Sequence, residues 1–72
     1  MNKLKLEAIM KLHGETGGQL AQFLGVARST FSAKINEKNG AEFTQSQISM
    51  IKEKYDLSAS DVDDIFFSKI VS

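Results

Sequence analysis

Residues 16–36 constrain the fold of this 72-residue chain most strongly, because their apolar side chains recur at helical spacing on both sides of one glycine. Gly25 can adopt the left-handed backbone conformation at no steric cost, which suits the end of a helix. The stretch therefore predicts a helix, a tight turn and a second helix from about Arg28 to Asn36. The positions that we expect to be buried are Leu20, Ala21, Leu24, Phe31 and Ile35.

Helices are also predicted on both sides of this stretch. Apolar side chains at positions 6, 9 and 10 give an amphipathic first helix from about Leu4 to His13, with Gly14 as its C-cap. Residues 37–42 are polar and contain the turn signal Asn-Gly, so we expect a loop there. The positions expected to face the core of the last two helices are Ile48, Ile51, Tyr55, Leu57, Val62, Ile65 and Phe66.

Three helix starts carry the sequence signature of a capping box, in which a hydroxyl residue precedes a glutamine or an acid by three positions. The second, fourth and fifth helices should begin after these hydroxyl residues, with the acidic side chains of the last one placed favourably for its dipole. The three pairs are Thr16 with Gln19, Thr44 with Gln47, and Ser58 with Asp61.

The chain resembles a known family over nearly its whole length. The run Leu20-Ala21-x-x-Leu24-Gly25-Val26, with Ser29-Thr30-Phe31-Ser32 and Lys34-Ile35-Asn36 after it, resembles the lambda-repressor-like (Cro-type) helix-turn-helix regulators. The segments 42–44 and 57–67 are similar to the continuation found in small regulators of temperate phages from Gram-positive hosts. The resemblance implies an all-α, five-helix lambda-repressor-like domain over residues 1–72, with its helix-turn-helix at about 17–36.

The resemblance also implies a function, that of a small transcriptional regulator that controls the choice between lysogenic and lytic growth of a phage. In such regulators the second motif helix enters the major groove of operator DNA. By this reading Arg28 contacts a guanine, Ser29 and Thr30 reach a base or a phosphate, and Ala33 touches a thymine methyl group. Lys34 and Lys38 would hold phosphates.

Three residues depart from the family pattern at the surface that would meet DNA. Gly17 stands where a phosphate-binding glutamine is common, and Ala27 stands where a serine usually caps the second motif helix. Glu15 replaces an apolar residue and brings an acidic group close to where a phosphate would run. These departures support a second hypothesis, in which the chain is an antirepressor that binds the DNA-binding domain of a cognate phage repressor.

Under this second hypothesis, exposed apolar side chains would anchor the partner, and carboxylates would pair with the arginines and lysines that a repressor offers to phosphates. The candidate partner-binding residues are Glu15, Phe23, Arg28, Glu42, Met50, Asp61, Asp63 and Asp64. A homodimer is a third hypothesis, with a small apolar seam formed by Phe67, Ile70 and Val71, although these side chains could equally cover the first helix.

Composition excludes several other kinds of protein. The chain has no cysteine and one histidine, His13, which we expect to be a solvated residue in the last turn of its helix. We therefore predict no enzyme, no metal site, no cofactor and no small-molecule substrate. No apolar run approaches the roughly 20 residues that span a bilayer, so we expect a cytoplasmic protein without a membrane partner.

Charge is balanced overall but is distributed unevenly. Nine basic and nine acidic residues give a formal net charge of zero, whereas a basic footprint is typical of DNA-binding domains. Most of the basic groups precede residue 39 and most of the acidic groups follow it. The motif half can therefore meet a nucleic acid while the C-terminal half is acidic.

Overall fold

A computed structural model describes residues 1–67, and in this range the protein consists of helices without a strand. The five α-helices are α1 (Lys3–Leu12), α2 (Gly17–Leu24), α3 (Arg28–Ile35), α4 (Gln45–Lys54) and α5 (Ala59–Phe66), and a short 3-10 turn covers Lys38–Gly40. The predicted all-α class is confirmed, with helix ends within one or two residues of those expected. Ile70 and Val71 of the predicted seam lie outside the described residues.

Side-chain caps define the start of four helices. Thr16, Thr44 and Ser58 each accept a hydrogen bond from the backbone N–H three residues later, and each capping box is closed by the reciprocal bond. Asn2 caps α1 by accepting from the N–H of Lys5 at 3.2 Å. The three predicted capping boxes are therefore confirmed.

Two helices end in glycine-dependent turns. Gly25 has φ +74°, and bonds from the N–H groups of Gly25 and Val26 to the carbonyls of Gln22 and Ala21 make the turn a Schellman motif. Gly14 has φ +68° and closes α1 in the same way, although the C-cap residue itself is His13 and not Gly14 as expected.

The core contains one fully buried aliphatic side chain from each of α1, α2, α4 and α5. α3 adds Phe31 and Ile35, which are 5% and 6% exposed. Phe43, in the segment between α3 and α4, meets the ring of Phe31 edge-on at 5.8 Å and that of Phe66 at the same distance, so it connects α3 to α5. The four fully buried side chains are Leu6, Leu20, Ile51 and Ile65.

α1 is held against α5 at its N-terminal end. The backbone N–H of Asn2 donates to the carbonyl of Ile65 at 2.6 Å. The Lys5 ammonium lies 3.3 Å from Asp61 and 3.0 Å from Asp64, and this contact raises the pKa of Lys5, with Asp64 the larger cause. The two ends of the described chain are thus joined, and Lys3 also donates to Oδ1 of Asn36 at the end of α3 at 2.7 Å.

α3 is the one α-helix of the described chain that begins without a side-chain cap. Ala27 occupies the cap position with an extended backbone (φ −68°, ψ 155°), and its methyl group cannot accept a hydrogen bond. We expect Ala27→Ser to raise the free energy of unfolding by about 1 kcal/mol, measured by urea denaturation. Thr44→Ala, which removes a cap of the same kind from α4, should lower it by a similar amount. An unchanged stability for Ala27→Ser would contradict the open cap.

Candidate helix-turn-helix interface

The first turn of α3 presents polar side chains to solvent. Arg28, Ser29 and Thr30 are all exposed, and the missing cap at Ala27 leaves the first backbone N–H groups of the helix without a side-chain acceptor. Free N–H groups at a helix N-terminus favour anionic partners, whether these are phosphates or carboxylates. Together with the outer side of α2 this turn forms a surface that we call the α2–α3 face.

The Arg28 side chain crosses from α3 to the first turn of α2. A methyl group placed on Gly18 would lie 2.5 Å from Nε of Arg28, 2.6 Å from Nη2 and 2.9 Å from Cζ. The guanidinium therefore lies directly over the backbone of Gly18, in the space that any larger residue would fill. The two glycines at the start of α2, which are poor helix formers, here allow the close approach of an arginine.

Lys34 does not extend into solvent as the sequence suggested. Its Nζ donates to the carbonyl of Glu42 at 3.0 Å and to Oε1 of Gln47 at 3.1 Å, so the half-buried side chain joins α3 to the capped start of α4. Ala33, also predicted to face outward, is half-buried. Lys38 is exposed, and within residues 1–67 neither Lys38 nor Arg28 forms an ion pair or a side-chain hydrogen bond.

Glu15 is occupied by a contact within the protein. Its Oε2 lies 2.9 Å from Nζ of Lys54 at the end of α4, and the same ammonium lies 4.5 Å from the ring centroid of Phe23. The Lys54 contact holds the pKa of Glu15 below its ordinary value of 4.5. An apolar residue at position 15 would pack onto the first turns of α2. Glu15 instead forms an ion pair with Lys54, which links the segment between α1 and α2 to α4.

Tyr55 packs behind this ion pair. It is 6% exposed, and its ring lies 4.9 Å from that of His13, which is therefore a packing partner as well as an exposed helix-end residue. Burial raises the pKa of the Tyr55 hydroxyl, and the neighbouring Glu15 carboxylate raises it further. The hydroxyl stays protonated at any physiological pH.

The residues predicted to bind a partner differ in how available they are. Phe23 is 43% exposed, and the side chains of Glu42 and Asp63 are exposed. Met50 is half-buried and packs against the core, so it offers less surface to a partner than Phe23 does.

Asp61 and Asp64 are held by Lys5. Asp61 also completes the capping box of α5 by accepting from the backbone N–H of Ser58, and its bonds to Ser58 and Lys5 lower its pKa, with the backbone of Ser58 the largest cause. These placements divide the predicted partner-binding set into available side chains and side chains committed to the fold.

Two further features are absent from the described residues, a metal-binding cluster and a membrane-spanning helix. No group of three or more His, Cys, Asp or Glu side chains within residues 1–67 is arranged to hold a metal ion. No helix in the same range is long and apolar enough to cross a membrane.

Comparisons with protein-family profiles, with curated proteins and with solved structures found no match to this chain.

Gly18→Ala should move the Arg28 guanidinium without removing its charge. The added methyl group would displace only the end of a flexible side chain, and alanine is the better helix former, so we expect stability to rise by up to about 1 kcal/mol. NMR should show the Arg28 Nε–H resonance moving toward the position of a solvated arginine. Gly17→Ala is the matched control, because its methyl group would meet the buried Phe31 ring at 3.3 Å and should gain less. An unmoved Arg28 resonance would contradict the close contact.

The Glu15–Lys54 ion pair makes the stability of the fold depend on pH. Because the pKa of Glu15 is lower folded than unfolded, its contribution is present above pH 4.5 and is lost as the pH falls through the lower, folded value. We expect the Tm of the native protein to fall more steeply below pH 4.5 than that of Glu15→Gln. Glu53→Gln, which removes an exposed carboxylate from α4, should keep the native slope. Parallel curves for native protein and Glu15→Gln would refute the assignment.

Proposed function

We propose that this protein is a small helix-turn-helix transcriptional regulator of the lambda-repressor-like type, acting in the cytoplasm on a phage lysogenic/lytic switch. The proposal rests on the resemblance of residues 20–36, and the order of the five helices and the Schellman turn at Gly25 agree with it. The α2–α3 face is its working surface, and two kinds of macromolecule fit that surface.

Operator DNA is the first candidate, and the uncapped first turn of α3 is the observation that supports it. Arg28, Ser29 and Thr30 lie together there and are exposed, where a helix entering the major groove would present them to base edges. Lys38 would bind a phosphate beyond the end of α3.

The DNA-binding domain of a cognate repressor is the second candidate, and the number of free cations favours it. Of the three cations predicted to bind DNA, Arg28 on the α2–α3 face and Lys38 beyond the end of α3 have no partner in the described chain, whereas Lys34 donates to Glu42 and Gln47. So few phosphate contacts would release few counterions, and counterion release is a main source of affinity for DNA.

Two exposed side chains near the helix-turn-helix also suit a protein partner. Phe23 offers an apolar anchor that is 43% exposed, and Glu42 carries an exposed carboxylate that can meet the basic surface of a repressor. On this balance we favour the antirepressor mode, in which the protein covers the face that the repressor uses on its operator.

One titration tests both modes. Labelled operator is incubated with this protein, with its cognate repressor, and with the two mixed, at about 50 mM salt, and band shifts are recorded. In the antirepressor mode the protein alone gives no shift and removes that of the repressor, and Phe23→Ala weakens this effect at least tenfold because an anchor is lost. In the operator mode the protein alone shifts the DNA, and Arg28→Ala costs about 1–3 kcal/mol.

Controls separate specific from general effects in this titration. Lys52→Ala removes an exposed charge from α4 and should behave as the native protein in either mode. Thermal melts of each variant confirm folding. A protein that neither shifts operator nor alters the repressor's shift at micromolar concentrations would refute both candidates.

A further inference from the structure

The outer face of α1 carries an apolar stripe that sequence periodicity did not single out. Leu4 is 74% exposed and Leu12 is 83% exposed, and the exposed Ala8 lies midway between them. Residues at i, i+4 and i+8 lie on one side of a helix, so these three side chains form a continuous line. Leu6 and Met10 are buried on the opposite side, so the stripe plays no part in the core.

The stripe is symmetric about its own centre. When a second α1 lies antiparallel against it, with the two Ala8 residues at the two-fold axis, Leu4 of one copy is level with Leu12 of the other. The small alanine at the crossing allows the helix axes to approach to about 8 Å, at the short end of normal helix packing. A surface that is complementary to itself in this way generates a closed dimer.

The charges beside the stripe agree with the same arrangement. Glu7 and Lys11 lie on one flank, both are exposed, and neither has an ion-pair or hydrogen-bond partner within residues 1–67. Across the antiparallel crossing the axis brings Glu7 of each copy near Lys11 of the other. On the other flank, Lys5 is already neutralised by Asp61 and Asp64 of its own chain, so it adds no repulsion.

From these observations we infer that α1 is a self-association surface, and that two copies of this chain pair antiparallel through Leu4, Ala8 and Leu12. Three side chains per copy bury much less than the roughly 800 Å² per partner of a standard stable interface. The dimer is therefore weak, with a dissociation constant on the order of 0.1–1 mM.

This pairing is independent of what the α2–α3 face binds. It uses none of the residues of α2 or α3, and it differs from the C-terminal seam predicted from the sequence. A weak dimer contact becomes significant when two copies are bound at neighbouring sites, because the contact between their α1 helices then forms at a high effective concentration.

The test is sedimentation velocity of the native protein from 20 µM to 2 mM, with variants at each position. We expect the weight-average sedimentation coefficient to rise with concentration. Leu12→Gln should weaken association at least tenfold without a change in Tm, since the residue is 83% exposed. In an isotope-filtered NOE experiment on mixed labelled and unlabelled protein, the methyl groups of Leu4 and Leu12 should give intermolecular cross-peaks.

Charge reversal checks the orientation of the two copies. Glu7→Lys and Lys11→Glu should each weaken the dimer at least threefold, and the double variant should restore it, because opposite charges again meet across the axis. Phe23→Gln removes an exposed apolar residue away from the stripe and should leave the dimer unchanged. The inference is overturned by a protein that stays monomeric at 2 mM, by association that Phe23→Gln reduces and Leu12→Gln does not, or by a double variant that fails to recover.

Discussion

The turn at Gly25 sets the angle between α2 and α3, and the candidate interface depends on that angle. With φ of Gly25 at +74° the chain turns between Leu24 and Arg28, so that α3 begins next to the start of α2. This brings Arg28 over Gly18, into the space that a side chain at position 18 would fill. The same packing buries Phe31 behind the face, so the exposed residues of the first turn of α3 rest on a rigid support.

Glu15 shows how an unfavourable residue at one position is offset by another far along the chain. An apolar residue before Thr16 would pack onto Leu20 and set the direction in which the chain enters α2. Glu15 instead meets Lys54, which is itself covered by Phe23. An apolar residue would act within the first turn of α2, whereas the Glu15–Lys54 ion pair links the start of α2 to the end of α4. The position of α2 therefore depends on α4 and on the ionisation of Glu15.

The fold was largely predictable from the sequence, because its determinants are local. Each capping box needs only residues three positions apart, and the buried positions of α2, α3 and α4 follow helical spacing. Even so, local rules missed Asp56, which has φ +51° and closes α4 as glycines close α1 and α2. An acid in that conformation carries no strong sequence signal.

The candidate site was less predictable, because its side chains are placed by tertiary contacts. Helical spacing puts Lys34 on the outside of α3, but only the fold brings Glu42 and Gln47 within reach of its ammonium. Met50 is drawn against the core for the same reason. Conversely, the periodicity that identified Leu6 and Met10 as core gave no reason to examine Leu4 and Leu12, whose exposure is visible only in the folded chain.

The electrostatic character of the protein follows from pairing within the chain rather than from composition. Of its nine basic residues, Lys5 and Lys54 form ion pairs with carboxylates, and Lys3 and Lys34 donate to neutral oxygens. A cation held in this way can reach a phosphate only by giving up its present partner, which adds a cost that a solvated lysine does not have.

The α2–α3 face therefore offers few free charges: Arg28 lies over Gly18, and the ring of Phe23 on α2 is partly exposed. Long-range attraction to DNA depends on the summed field of many cations, whereas a protein interface gains most from a few anchors at its centre. The described surface has one partly exposed aromatic side chain, Phe23, and few unpaired cations. The charge pairs that stabilise this small fold leave few cations free in the described chain, and this supports the proposal of a protein partner.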